Sequence, residues 1–251
     1  MRRVLIRVAY DGSAYHGWMQ LEGVVTVAGK INEALSSLCG EPIELIGGSR
    51  TDAGVHAMDN VAVFDVPDSR LIPAEKIPGA LNVRLPEDIR IKSGVEVPAD
   101  FHPRHCDTVK TYEYRILNSK LQDPLRRQYT RWVRHELDED AMHDAAQALV
   151  GEHDFTSFCS VHAQSNTRVR TIYDASVVRQ ADEIAIRVSG NGFLYNMVRI
   201  IAGTLIEVGE GRRKAEDMAG IIEAKDRGAA GITAPPQGLC LMEYRFVNED
   251  F

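Results

Sequence analysis

The chain has 251 residues, of which 44% are apolar, so it can bury a substantial core and does not have the composition of a disordered protein. Its net charge of −7 is unfavourable for simple polyanion binding, and its four cysteines have no paired spacing, which favours a reduced, cytoplasmic setting. No targeting segment is recognised at the N-terminus, and the longest apolar stretch, residues 193–205, is interrupted by Asn196, Arg199 and Thr204, so we expect no membrane span.

The first hundred residues predict the order strand, helix, strand, strand, helix, strand. Val27, Ile31, Leu35 and Leu38 recur at helical spacing, and Gly40 is typical of a helix end. The remaining predicted elements are strands over 4–10, 43–46, 61–66 and 89–97 and a short helix over 73–80. This order is that of the ferredoxin-like βαββαβ unit.

A similar order follows in the second half, with one extra helix and without a residue-level repeat. Asp138 is a typical helix N-cap, and Gly151 is a candidate stop for the same helix. The predicted strands are 108–117, 169–178, 184–188 and 239–247, and the other predicted helices are 193–208 and 215–224.

These patterns predict an α+β fold of two ferredoxin-like halves, with mostly antiparallel sheets flanking a central cleft. Prolines and aspartates around residues 98–107 place the boundary between residues 104 and 105. The domains are therefore predicted as 1–104 and 105–251. Residues 104–134 carry eight basic and three acidic side chains, a local charge of +5 on an otherwise acidic chain, so they form either a polyanion-guiding strip or an ordinary solvated face.

The most unusual stretch is the glycine-rich connection at residues 47–57, between two predicted strands. It contains Arg50 and Asp52, and an ordinary turn does not require Arg-Thr-Asp followed by Gly-Val-His. A carboxylate in such a loop can serve as nucleophile, general base, metal ligand or cap. Arg50 either pairs with Asp52 or contacts phosphate or a base. The alternative is a surface loop with an incidental ion pair.

Three segments resemble the motifs of the TruA-type tRNA pseudouridine synthase family. The first is Arg50-Thr51-Asp52-Ala53-Gly54-Val55-His56-Ala57, the second lies at residues 110–115, and the third at residues 191–199. Residues 10–13, 17–18 and 154–158 also resemble family segments, without an assigned chemistry. The resemblance therefore runs through most of the chain.

The resemblance implies isomerisation of uridine to pseudouridine at positions 38 to 40 in the anticodon arm of tRNA, by a homodimer and without metal or organic cofactor. In the family pattern Asp52 is the nucleophile, Tyr112 lies against the target base, and Arg50 and Arg199 are substrate-binding residues. The target uridine would have to leave the base stack to reach Asp52.

The residues themselves give partial support to these roles. Tyr112 and Tyr114 share one face of a predicted strand; Tyr112 could stack on uracil, whereas Tyr114 is better interpreted as core packing. Arg199 lies in an apolar helix, where an unpaired charge is costly, so we expect a carboxylate partner, with Asp52 as candidate, or a side chain that reaches the helix edge.

Two departures from the family pattern concern RNA contacts. Family members usually have glutamine at the position of Met19 and often have glutamine at the position of Ala28. These departures put the RNA contacts of the 17–26 loop and the choice of substrate in doubt more than the chemistry.

Two other functions stay open. A non-catalytic RNA-binding paralogue would use Arg50, Tyr112 and Arg199 as RNA contacts, although an idle carboxylate facing RNA is unfavourable. A metal-dependent hydrolase would need Asp52, His56 and Asp59 as ligands.

Overall fold

A computed structural model describes residues 1–67, 72–163 and 165–249 of the chain. Helices and strands are mixed, and the strand pairing within the described residues is largely antiparallel, which confirms the predicted α+β class. Within these residues no helix is both long and apolar enough to cross a bilayer.

The chain forms two compact units. The first contains Met1–Thr108 together with the C-terminal segment that begins at Leu241, and the second contains Val109–Cys240. The sequence assigned the C-terminal strand to the second half instead. That strand groups with the first unit because Tyr244 and Phe246 join the core cluster of Leu5, Val63 and Phe101. The functional division at residue 104 stays a prediction.

The first unit has the βαββαβ order. Its elements are β1 (Arg2–Tyr10), α1 (Val27–Cys39), β2 (Ile46–Gly47), β3 (His56–Val66), a 3-10 turn (Ala74–Lys76) leading into α2 (Ile77–Asn82), and β4 (Ile89–Val97). β1 lies between β4 and β3 in antiparallel register, with Leu5 opposite Val63 and Val95. β2 lies beside β3, which gives the ferredoxin-like arrangement β4-β1-β3-β2.

The predicted strand over 43–46 is reduced to Ile46–Gly47. The reason lies in helix α1, whose side chains take up the backbone donors that a strand would need. Asn32 Oδ1 accepts the N–H of Leu45 at 3.0 Å, and Ser36 Oγ accepts the N–H of Ile43 at 2.9 Å. The segment is therefore bound to the helix rather than to a sheet.

The remaining elements lie mostly in the second unit. They are β5 (Thr108–Asn118), β6 (Arg131–Val133), α3 (Glu139–Gln147), β7 (Gly151–Asp154), a 3-10 turn (Thr156–Phe158), β8 (Val169–Gln180), β9 (Glu183–Gly190), α4 (Met197–Gly209), α5 (Asp217–Ala224) and a 3-10 turn (Pro236–Gly238) before β10 (Leu239–Phe246). Thr108 and most of β10 belong to the first unit. The sheet order is β5-β9-β8-β7, and β6 is parallel to β5.

Three residues mark the ends of elements in the second unit. Asp138 accepts the N–H of Ala141 at 2.9 Å, which confirms the predicted N-cap of α3. Gly151 does not end α3 but begins β7, with φ at 116°. Helix α4 begins at Met197 rather than at residue 193 because Asn196 has a left-handed backbone, with φ at 62°.

Candidate active site

The Asp52 loop, residues 48–55, joins β2 to β3 in the first unit. Ser49 and Thr51 are buried, Arg50 is exposed, and Asp52 is partly exposed. The two small hydroxyl residues therefore fix the loop to the protein, while the two charged residues between and after them reach the surface.

Asn60, on β3, is the main support of this loop. Its side chain is fully buried; Oδ1 accepts the N–H of Ser49 at 3.2 Å, and Nδ2 donates to the carbonyl of Ser49 at 3.0 Å. Nδ2 also donates to the hydroxyl of Tyr10 at 3.3 Å, and that hydroxyl lies 2.7 Å from Thr51 Oγ1. One amide thus fixes the residues on both sides of Arg50.

Sequence reasoning missed Asn60. The available signal was an amide at the head of the apolar run 61–66, because a polar side chain on a buried strand must satisfy its hydrogen bonds somewhere.

The other side of the loop is held by the connection between β1 and α1. The N–H of Trp18, in this connection, donates to the carbonyl of Thr51 at 3.1 Å, and within the loop itself the N–H of Val55 donates to the carbonyl of Asp52 at 3.1 Å. Gly17 makes this approach possible, since its φ is +90° and a Cβ there would lie 2.7 Å from the Thr51 oxygen. The backbone at Asp52 is therefore set by neighbours on two sides.

Arg50 contacts Met19, one of the two residues that depart from the family pattern. Among the described residues, its recorded partner is the thioether of Met19, with Nη1 3.9 Å from Sδ, rather than the carboxylate of Asp52. Sulfur is a weak acceptor, so the Arg50 guanidinium keeps most of its hydrogen-bonding capacity for a ligand.

Tyr112 lies on β5 in the second unit and is 7% exposed. Its ring meets the edge of Phe193, with centroids 5.1 Å apart and an interplanar angle of 82°. Tyr114 is fully buried, and its hydroxyl donates to the carbonyl of Pro235 at 2.9 Å, which confirms its predicted core role. Burial raises the pKa of Tyr114, so its phenol stays protonated.

Arg199 is the one residue of helix α4 that is not buried. Its Nε donates to the carbonyl of Ala234 at 2.8 Å and its Nη1 to Oδ1 of Asn196 at 2.7 Å. Asn196, a second residue that the sequence did not single out, therefore orients the guanidinium from the left-handed position at the start of the helix. The predicted contact of Arg199 with Asp52 stays a prediction, as do the roles of all four predicted site residues.

The basic strip is partly neutralised by carboxylates. Arg126 binds Asp182 through both Nη atoms, at 2.9 and 2.7 Å, and Asp123 through Nε at 2.9 Å. Arg115 binds Glu113 at 2.7 Å. At least two of the eight basic residues are thus committed to structural ion pairs, which reduces the charge available for a polyanion.

The residues proposed for the hydrolase alternative are engaged in other contacts. Asp59 is 9% exposed and pairs with Arg7 at 2.6 Å and Lys92 at 3.2 Å. His56 Nδ1 accepts the N–H of Gly12 at 3.1 Å. In residues 1–67, 72–163 and 165–249, no three histidine, cysteine or acidic side chains are grouped so as to hold a metal ion. This geometry gives the hydrolase alternative no support.

Comparisons with known proteins identify the family of the chain. The family model described as "tRNA pseudouridine synthase" matches residues 6–105 and 145–247. A protein of Caldicellulosiruptor bescii, named tRNA pseudouridine synthase A, is 46% identical over 243 residues, 97% of this chain and 99% of its own length. Proteins of the same name from Brevibacillus brevis and Halalkalibacterium halodurans are 47% and 45% identical, over 97% and 95% of this chain and 99% and 90% of their own lengths. With matches of this extent, the chain belongs to the tRNA pseudouridine synthase family of isomerases.

Proposed function

We propose that this chain isomerises uridine to pseudouridine at positions 38 to 40 in the anticodon arm of tRNA, with Asp52 as the nucleophile. The observation that carries the proposal is the rigid support of the Asp52 loop, in which buried hydrogen bonds from Asn60 and Tyr10 hold the segment while Arg50 and Asp52 reach the surface. Such fixed placement is what a nucleophile needs in order to meet its target at the right distance.

In this reaction the bond between C1′ of the ribose and N1 of uracil breaks, the uracil rotates, and a bond forms between C1′ and C5. The hydrogen on C5 leaves as a proton, and N1 takes up a proton. Because the product is an isomer of the substrate, the net reaction calls for neither a redox partner nor a group donor.

Each remaining site residue has a role in the proposal. Tyr112, backed by Phe193, offers a ring for the uracil to stack on once the nucleotide has left the base stack. Arg50 is exposed and contacts phosphate or fills the space that the base vacates. Arg199, aligned by Asn196 and Ala234, is a substrate-binding residue whose positive charge favours the ionised form of Asp52 if the two approach each other.

We further propose that the protein acts on tRNA as a homodimer in the cytoplasm. The four cysteines are free, which fits a reducing compartment. Sedimentation equilibrium with and without tRNA measures the subunit number, and a monomer under both conditions contradicts the homodimer.

Release of tritium from C5-labelled uridine in a tRNA transcript tests the chemistry. We expect release by the wild-type protein with or without a chelator. Asp52→Ala and the isosteric Asp52→Asn should lose turnover by on the order of 10³-fold or more, with tRNA affinity kept within a few-fold.

Three outcomes contradict parts of this proposal. No release from any tRNA that carries uridine at those positions, together with stoichiometric tRNA binding, would favour the non-catalytic RNA-binding function. Unchanged turnover in Asp52→Asn would place the nucleophile elsewhere. Loss of wild-type activity on adding chelator would revive the metal-dependent mechanism.

A further inference from the structure

Two arginines at the start of β8 lie side by side without a carboxylate. Arg168 immediately precedes β8 and Arg170 is the second residue of that strand, and both guanidinium groups reach the segment before it, at Ala163 and Ser165. Arg168 donates to Sγ of Cys159 at 3.0 Å and to the carbonyl of Ala163 at 3.1 Å. Arg170 donates to neutral acceptors as well, namely the carbonyls of Thr167 and Val169 and the hydroxyl of Ser165.

This lack of acidic partners contrasts with several other arginines of the second unit. In the described part of the unit, no carboxylate lies within ion-pair distance of either Arg168 or Arg170. Carboxylates do pair with Arg115, Arg126, Arg179, Arg187 and Arg213.

The positive charges of Arg168 and Arg170 repel each other. Burial lowers the pKa of Arg170, and the charge of Arg168 lowers it further, although the nearby Cys159 thiol acts in the opposite direction. Partly desolvated like charges that contact only neutral acceptors are unfavourable, and a bound anion would relieve both the desolvation and the repulsion. The arrangement is therefore suited to an anionic ligand.

The position of the pair indicates which anion. A Cβ on Gly192 would lie 3.6 Å from Nε of Arg170, so this guanidinium lies directly against the Gly192 backbone. The next residue, Phe193, meets the ring of Tyr112. Hydrogen bonds between Asn191 and Thr171, at 3.0 Å in both directions, hold this segment beside β8. The arginine pair is thus joined by one short rigid segment to Tyr112.

We propose that Arg168 and Arg170 bind a phosphodiester of the RNA substrate, in the backbone next to the nucleotide whose base lies on Tyr112. This inference rests on the proposed function. The planar guanidinium fork matches two phosphate oxygens. Such a contact carries no sequence information but fixes the register of the strand, which a flipped nucleotide no longer supports by stacking.

Salt dependence of tRNA binding tests the contact, because each phosphate contact adds a defined increment to the slope of log Kd against log salt. For Arg170→Gln we expect the slope to fall by about 0.7 to 0.9, and for the double variant Arg168→Gln/Arg170→Gln by about twice that amount. KM in the tritium assay should rise several-fold, while kcat should stay within about two-fold.

Two control variants separate charge from structure. Arg170→Lys keeps the charge and should keep the slope. Arg84→Gln removes an exposed arginine whose recorded partner is the carbonyl of Ala80, and it should leave the slope unchanged. Thermal unfolding shows which variants are folded. If Arg170→Gln is not folded, the single variant Arg168→Gln is used for the salt-dependence measurement instead.

The outcomes distinguish this inference from the function it rests on. If wild-type protein releases no tritium, the proposed function fails. If the wild type is active but the double variant binds tRNA with the wild-type slope, the phosphate contact is overturned. A lower melting temperature with an unchanged slope would likewise overturn the phosphate contact. The arginines would then have only a structural role, as hydrogen-bond donors to the neighbouring carbonyls.

Discussion

At the scale of the residue, Asn60 shows how a buried amide determines the position of a surface loop, here the one that carries Asp52. It satisfies both backbone groups of Ser49, and three residues later in the loop Asp52 reaches the surface. Removing the amide leaves a buried N–H and a buried carbonyl without their partner, at a cost of about 1 to 3 kcal/mol for each unsatisfied group. The loop can relieve that cost only by moving, and the Asp52 carboxylate would move with it.

We therefore expect Asn60→Ala to lower kcat for tritium release by about 10- to 100-fold, since displacements of about 1 Å have effects of that size. Asn82 is a matched control, because its amide makes the same two bonds to the N–H and carbonyl of Ile91, on β4, away from the Asp52 loop. Asn82→Ala should lose stability in urea unfolding yet keep kcat when folded. Equal kcat losses in the two variants would show that the effect is general destabilisation.

At the scale of the element, the connection from β1 to α1 limits the movement of the Asp52 loop. Gly17 and Gly23 both have positive φ, at +90° and +77°, but only Gly17 lies against the loop, where a Cβ would approach the Thr51 carbonyl to 2.7 Å. Gly23 has no atom within 4 Å of the corresponding position. Comparing substitutions at these two glycines therefore separates the effect of backbone strain from the effect of contact with the loop.

Gly23→Ala should cost only the strain of a left-handed alanine, about 1 to 2 kcal/mol, with kcat unchanged. Gly17→Ala should carry that cost and also push Thr51 away, so kcat should fall by about ten-fold or more. Urea unfolding and the tritium assay on both variants measure the two quantities. A Gly17→Ala enzyme with wild-type kcat would contradict the idea that this connection positions Asp52.

The sequence predicted the longer elements well because their apolar periodicity reports burial directly. β4 matches its predicted residues, and α1 begins after Thr26, whose hydroxyl accepts the N–H of Gly29. The three-residue strand β6 and the four-residue strand β7 were missed, since segments that short carry no period.

Within the site, the motif residues could be named from sequence, but their supports could not. Asn60 contacts Tyr10 across 50 residues, and Arg199 contacts Ala234 across 35. Such partners depend on tertiary packing. The thioether of Met19 against Arg50 gives the departure at position 19 a physical location in the site.

At the scale of the whole molecule, acidic side chains outnumber basic ones, and several of them have their pKa lowered by a neighbouring arginine. Glu113 is the most buried example, with Arg115 and Arg187 each at 2.7 Å and only 6% of its side chain exposed. Burial alone would raise the pKa of Glu113, but the hydrogen bonds from both arginines outweigh it and lower the pKa. Its carboxylate is thus charged in the folded protein at neutral pH.

A lowered folded-state pKa makes stability depend on pH in a defined direction. The contribution of Glu113 is fully present above its unfolded pKa, near 4.5, and is lost as pH falls through the lower folded-state pKa. Glu113→Gln leaves two arginines without their carboxylate and should cost about 3 kcal/mol at pH 7. The difference between wild type and variant should then shrink as the pH is lowered below about 4.5.

Urea unfolding can measure the pH dependence of this stability difference with a reporter that lies in the second unit. The chain has two tryptophans, Trp18 in the first unit and Trp132 in the second, so a Trp18→Phe background leaves Trp132 fluorescence as the reporter. Glu136→Gln, at an exposed position of the same unit, is the control and should change stability by less than about 0.5 kcal/mol at any pH. A difference between wild type and Glu113→Gln that stays constant or grows from pH 7 to pH 3.5 would contradict the assignment, because the stabilisation would then not depend on the ionised carboxylate.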